Sequence, residues 1–179
     1  MKIDKNDMAL IGLLYTQHQN AGDKTVKNGY RYVLKDLFGR FLLQVKYYKP
    51  WASDAAIKKA AKLLRGISLS DVILHDCYIK GKKKASGEIK KLFVDRNRRT
   101  EFHLEHDPPT LYVVDAILDG DGKPESITKA LKKYRLCFIT GEEDDVLNQK
   151  GCHSTVPPCG DRYKYCGINA NKLPKGDLP

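Results

Sequence analysis

The sequence predicts an α+β fold in which a helical, basic N-terminal region precedes a strand–strand–helix unit. Apolar residues recur at helical spacing in the first third of the chain. Two later segments, 101–106 and 136–140, have the alternation or apolar run that is typical of strands. The second of them runs directly into an acidic segment with the character of a helix start. A chain of 179 residues is long enough for one domain with a real core.

The first third of the chain is predicted to be helical. Residues 7–18 place apolar side chains on one face, and Asp7 is a suitable N-cap. Residues 19–29 are polar and contain two glycines, so they are predicted to form a loop. Apolar residues three and four positions apart predict a second helix over residues 30–48 and a third over residues 54–64.

The second half of the chain alternates between strands and helices. The strand at 101–106 is stopped by Pro108 and Pro109, and the strand at 136–140 precedes a helix from residue 142. Two short helices are predicted between the strands, over residues 110–118 and 125–134.

Three regions are therefore expected along the chain. A helical basic region covers residues 1–86, and the strand–strand–helix unit covers residues 87–151. Residues 152–179 are rich in proline and glycine and show no periodicity, so they are predicted to form an irregular arm.

The formal net charge of +10 indicates a polyanion as partner. The basic residues are spread over the middle of the chain, and a solvated, lysine-rich surface is the alternative explanation. Six of them are candidates for contacts with nucleic-acid phosphates: Lys82, Lys83, Lys84, Arg96, Arg98 and Arg99. No segment has the length and apolar character of a membrane span, and no signal peptide precedes the first helix, so a cytoplasmic protein is expected.

The end of the first strand carries the pair Glu105-His106. A carboxylate beside a histidine can hold a divalent metal and activate water, which is the minimum equipment for metal-assisted hydrolysis. The helix after the second strand starts with four acids, Glu142 to Asp145. Ligands from a strand end and from the first turns of a helix can converge on one ion, although acids at a helix start are also explained by the helix dipole.

Glu105-His106-Asp107-Pro108-Pro109, followed by residues 138–147, resembles the HNH branch of the ββα-metal nucleases over about residues 100–151. The resemblance implies that Glu105 is a metal ligand and His106 the general base. It also implies that Asp144 binds the metal at the position of the family's last histidine, with Asn148 one turn further along. Oxygen ligands of this kind suit Mg²⁺ or Mn²⁺. The asparagine that orients the base in the family has no counterpart here.

Four late cysteines give the chain the composition of a zinc site, with His153 beside them: Cys137, Cys152, Cys159 and Cys166. Their spacing lacks the Cys-x-x-Cys pair of common zinc sites, so unpaired thiols are the alternative.

These observations predict a metal-dependent endonuclease of the restriction or phage type that hydrolyses DNA. Since one strand–strand–helix unit cuts one strand, a homodimer is expected if both strands are cut. The alternative is a non-catalytic nucleic-acid-binding module, or a subunit of a complex, with a zinc-stabilised C-terminal arm.

Overall fold

The structure is a computed structural model that describes residues 3–38, 51–64, 66–69, 72–73, 78–79, 87–93 and 100–173. The described helices are α1 (Lys5–Asn20), α2 (Lys24–Asp36), α3 (Asp54–Leu63), α4 (Gly87–Phe93), α5 (Thr110–Leu118), α6 (Pro124–Lys132), α7 (Gly141–Gln149) and α8 (Arg162–Cys166). The described strands are β1 (Trp51–Ser53), β2 (Val72–Ile73), β3 (Tyr78–Ile79), β4 (Phe102–Asp107), β5 (Arg135–Thr140) and β6 (Ala170–Lys172). The predicted α+β class is confirmed. Within these ranges, no helix has both the length and the apolar character needed to cross a bilayer.

The chain divides into two compact units, each built from two separate stretches of sequence. Unit 1 comprises Met1–Tyr47 and Pro108–Tyr134, and unit 2 comprises Tyr48–Asp107 and Arg135–Pro179. This division differs from the three consecutive regions expected from the sequence. The helices between β4 and β5 join the N-terminal helices, a long-range association that local sequence patterns do not encode.

Unit 1 is a group of helices, α1, α2, α5 and α6, around a small apolar core that includes Ile11, Leu34 and Val114. An ion pair between Arg31 and Asp115, with Nε to Oδ1 at 2.5 Å, joins α2 to α5.

The predicted loop over residues 19–29 is wrong for its second half, because α2 already begins at Lys24. The side chain of Asp23 accepts hydrogen bonds from the backbone amides of Thr25 and Val26, and this N-cap starts the helix earlier than the apolar pattern does. The predicted second helix ran to residue 48, and its last part lies outside the described residues.

Unit 2 is built on a four-stranded sheet with the order β4-β5-β1-β6. Strands β4 and β5 are antiparallel, with Glu105 opposite Cys137, and β1 is parallel to β5. Helix α7 follows β5 without a loop, so the predicted strand–strand–helix order is confirmed.

The region predicted to be an irregular arm contains two regular elements. Helix α8 lies there, and β6 pairs with β1 at the end of the sheet. Neither element is long enough for its periodicity to be visible in the sequence.

Each face of the sheet carries an apolar cluster. Ala52, Phe102 and Phe138 belong to the cluster on one face, together with the buried side of α3. The cluster on the other face contains Cys137 and Ile139 of β5, together with apolar side chains of α7 and α8. The second face is the one that bears the polar groups described below.

Candidate metal centre

Three side chains of unit 2 converge closely enough to hold one metal ion. Glu105 of β4, Asp144 of α7 and His153, in the segment after α7, each offer one ligand atom within 4.8 Å of the other two. We call these three residues the acid–histidine cluster. It is the one group of its kind in the described part of the chain. The structure thus brings together two residues that the sequence analysis proposed as ligands, Glu105 and Asp144, and adds His153.

Strand β4 presents Glu105 to the cluster through its regular alternation. Its pairing with β5 is uninterrupted from Phe102 to Asp107, so successive side chains point to opposite faces of the sheet. Phe102 and Leu104 pack in the apolar cluster of one face. Glu105 and Asp107 therefore share the other face, where both contact Arg162.

Helix α7 contributes one of its four leading acids to the cluster. Glu143 forms a capping box with Thr140, and its carboxylate also accepts a hydrogen bond from Ser53 Oγ at 2.5 Å. Glu142 lies beside the Lys59 ammonium, with Nζ to Oε2 at 3.1 Å. The pKa of Glu142 is lowered to about 2, first by its hydrogen bond with a backbone amide and then by Lys59. Of Glu142, Glu143 and Asp144, only Asp144 belongs to the cluster.

The segment after α7 turns back to place His153. Gly151 has a positive φ of 66°, which ends the helix at little steric cost, and Cys152 follows as a buried residue. The ring of His153 is 53% exposed, and its Nε2 lies 3.8 Å from Glu105 Oε1. In the sequence His153 stood out only as a neighbour of the cysteines, because nothing local predicts where the chain returns.

The electrostatics of the cluster favour a bound cation. Burial raises the pKa of Glu105, an effect that Arg162 and His153 oppose only in part, so its ionised carboxylate is poorly solvated. Asp144 Oδ1 is buried and accepts no hydrogen bond from any described residue, while Oδ2 lies 3.3 Å from Asn148 Nδ2. An orphaned carboxylate oxygen next to a desolvated carboxylate and an imidazole is a donor set that fits a divalent metal.

Asn148, which the resemblance placed one turn after the metal ligand, lies beside Asp144, and its role as a metal ligand stays a prediction. It is exposed, and its amide donates to the backbone oxygen and the carboxylate of Asp144. The structure therefore gives it a supporting contact with a ligand.

A buried network of two carboxylates and two arginines borders the cluster. Glu105 and Asp107 both pair with the guanidinium of Arg162, each at 3.0 Å, and Asp107 also pairs with Arg135 at 2.5 Å. We call these four residues the carboxylate–arginine network. The guanidinium carbon of Arg135 lies 4.8 Å from the centroid of the Trp51 ring and 5.3 Å from that of Tyr163. The sequence analysis assigned no role to Asp107 or Arg162.

His106 is not brought into the cluster. It follows Glu105 in the regular part of β4 and therefore lies on the face of Leu104. Burial, followed by the charge of Arg162, lowers the pKa of His106 to about 4, so its ring is neutral at pH 7. The assignment of His106 as general base has no support from this geometry and stays a prediction.

The four cysteines proposed as zinc ligands do not form a common site. Cys159 is exposed, and its thiol lies 3.5 Å from the backbone oxygen of Asp161. Burial raises the pKa of Cys137 to about 12, and burial together with its neighbour Cys152 raises that of Cys166 to about 11. Cys137, Cys152 and Cys166 are buried.

The six basic residues proposed for phosphate contacts all lie outside the described residues: Lys82, Lys83, Lys84, Arg96, Arg98 and Arg99.

Comparisons with known proteins found no match: no family model, no curated protein and no solved structure is similar to this chain.

Proposed function

We propose that the chain is a metal-dependent endonuclease that hydrolyses DNA phosphodiester bonds. The observation that carries this proposal is the convergence of Glu105, Asp144 and His153 within 4.8 Å. The site combines two carboxylates with one imidazole, a set that accepts Mn²⁺ readily and Mg²⁺ through its oxygens. A divalent ion held there would act as a Lewis acid on the phosphodiester and on the leaving oxygen.

The protein side chains have separate tasks in this proposal. Glu105 offers one oxygen to the ion, because its other oxygen accepts a hydrogen bond from Arg162 at 3.0 Å. Asp144 offers the oxygen that has no hydrogen-bond partner within the described ranges. His153 completes the set from an exposed position, so one side of the site stays open to a large substrate.

Strand alternation favours His103 as the group that accepts the proton of the attacking water. His103 precedes Glu105 by two residues and so lies on the same face of β4, about 7 Å away along the strand. His106, which the family resemblance implies as base, lies on the opposite face. An imidazole on the face of the strand that bears Glu105 is a group that can take a proton from the attacking water.

The charge of the chain supports a polyanionic substrate. The net charge is +10. Basic side chains attract a phosphate backbone and release its counterions. The proposed location of the activity is the cytoplasm.

Plasmid cleavage in Mn²⁺ and in Mg²⁺ tests the proposal. The purified chain should convert supercoiled DNA to the nicked or linear form, and EDTA should stop the reaction. His153→Ala should lower the rate by at least about 100-fold, since it removes a metal ligand, whereas the matched variant Ser154→Ala, in the next exposed position, should cleave like the parent.

A parent chain that binds DNA but never cuts it, with either ion, would contradict the proposal and favour the non-catalytic binding module. The ratio of linear to nicked product would report whether two copies act together on both strands.

A further inference from the structure

Arg162 is the most deeply buried charged residue of unit 2 among those the structure describes. Its side chain has no exposed surface, and it lies at the first position of α8. A guanidinium has five N–H donors, and a buried one is strongly destabilising unless they are satisfied. All five are satisfied here, since the structure gives Arg162 five acceptors.

The five acceptors come from the two segments that carry Glu105 and His153. On β4, Nε donates to Asp107 Oδ1 at 3.0 Å, and Nη2 donates to Glu105 Oε2 and to the backbone oxygen of His106. In the segment after α7, Nη1 donates to the backbone oxygens of Cys152 at 3.1 Å and His153 at 3.0 Å. One side chain thus fixes the strand that bears one ligand to the segment that bears another.

The contact with Glu105 also decides which carboxylate oxygen faces the cluster. Oε2 is held by Arg162, so Oε1 is the oxygen left beside His153, with Nε2 at 3.8 Å. A planar guanidinium imposes this orientation because its donors form a rigid fork, whereas an ammonium acts as a point charge without a preferred plane.

Arg162 further sets the charge that a cation would meet. Glu105 and Asp107 are paired with Arg162, and Asp107 also with Arg135, so these four charges balance. Asp144 has no ion pair with any described residue and accepts only the amide of Asn148 on its side chain. Asp144 is therefore the carboxylate of the cluster without a cationic side chain beside it among the described residues.

We propose that Arg162 is the positioning residue of the acid–histidine cluster: it presents a single oxygen of Glu105 and holds the segment of His153 so that the three ligands meet on one divalent cation. This inference rests on the proposed function insofar as the cation is the one that the hydrolysis would need. The role does not involve contact with substrate, because Arg162 is fully enclosed.

Mn²⁺ affinity, measured by calorimetric titration on the whole chain, tests the role of Arg162. Arg162→Lys keeps the positive charge but offers three donors in place of five. Its dissociation constant for Mn²⁺ should rise by about 10–100-fold, the usual effect of losing a group that orients metal ligands. The matched control is Arg31→Lys, which changes an arginine of unit 1 that donates two hydrogen bonds to the carboxylate of Asp115. Its Mn²⁺ affinity should stay that of the parent, even if its thermal stability falls.

The Arg162→Lys variant must be shown to fold by circular dichroism before its affinity is compared. If it does not fold, the comparison moves to the Asp107→Asn background, in which a lysine at position 162 has only Glu105 to neutralise. Asp107→Asn with Arg162→Lys should then bind Mn²⁺ about 10-fold more weakly, or worse, than Asp107→Asn alone.

The two proposals fail in different ways. A folded Arg162→Lys chain that binds Mn²⁺ as tightly as the parent overturns the role of Arg162 and leaves the nuclease proposal standing. A parent chain that binds Mn²⁺ and loses affinity in Arg162→Lys, yet never cuts DNA, supports the role of Arg162 and overturns the nuclease.

Discussion

The two faces of β4 place adjacent residues of one short motif in opposite environments. On one face, Glu105 lies beside Arg162 and the other members of the acid–histidine cluster. On the other face, Leu104 packs against the apolar cluster that contains Phe138, and His106 shares this face. Residues that are adjacent in a regular strand do not share a site, whereas residues two positions apart do. His103 and Glu105 therefore share one face of β4, and His106 lies on the other.

Removal of the charge of Glu105 is expected to have the largest effect on the site. Glu105→Gln keeps the shape of the side chain and an oxygen that can accept from Arg162, but it lacks the negative charge that a cation needs. We expect cleavage of plasmid DNA to become undetectable and the Mn²⁺ affinity to fall by about 100-fold or more. The control is Glu101→Gln, which removes a carboxylate just before β4 that pairs with Lys59 instead. Equal losses in the two variants would show that cleavage and Mn²⁺ affinity do not depend on the charge of Glu105 in particular.

Two histidine variants, one on each face of β4, show which face carries the general base. His103→Gln should slow cleavage by about 100-fold, a common effect of losing a general base, while Mn²⁺ affinity is unchanged. His106→Gln should cleave at a rate near that of the parent when both are folded. Single-turnover cleavage at saturating Mn²⁺ measures both. The opposite result, a loss confined to His106→Gln, would restore His106 as the base.

The burial of His106 on the apolar face should make the stability of the chain depend on pH. The pKa of His106 falls from 6.5 to about 4 on folding, chiefly through burial. Below pH 6.5 the unfolded chain therefore binds a proton that the folded chain does not, so stability is lost as the pH falls from 6.5 towards 4. Between pH 7 and pH 5 this group should lower the free energy of unfolding by about 2 kcal/mol. Urea unfolding at the two pH values measures it, and His106→Gln should lose less stability than the parent by that amount. An equal loss of unfolding free energy in both chains would show that the ring of His106 is exposed to solvent.

The sequence predicts the part of the site that lies on regular elements. Strand β4, strand β5 and helix α7 follow from local alternation, an apolar run and an acidic helix start. Glu105 and Asp144, the ligands that the sequence analysis proposed on these elements, lie together in the acid–histidine cluster. The assignment of His106 came from sequence adjacency, and the geometry does not support it because a regular strand separates adjacent side chains.

The rest of the site depends on where the chain returns in space. His153 and Arg162 lie in a segment without periodicity, and their positions follow from a helix stop at Gly151 and from long-range hydrogen bonds to β4. The division into two units escapes prediction for the same reason, since the helices between β4 and β5 pack with residues far away in the sequence. Local sequence patterns do not predict such long-range contacts.

A calorimetric titration of the purified, chelator-treated chain with Mn²⁺ measures directly whether the acid–histidine cluster binds a metal ion. If Glu105, Asp144 and His153 form a metal centre, the parent should bind one ion per chain, and Asp144→Asn should bind it at least about 10-fold more weakly, since it neutralises the charge left unpaired at the cluster. Absence of binding to the folded parent at millimolar Mn²⁺, or binding that Asp144→Asn leaves unchanged, would contradict a metal centre at these three residues.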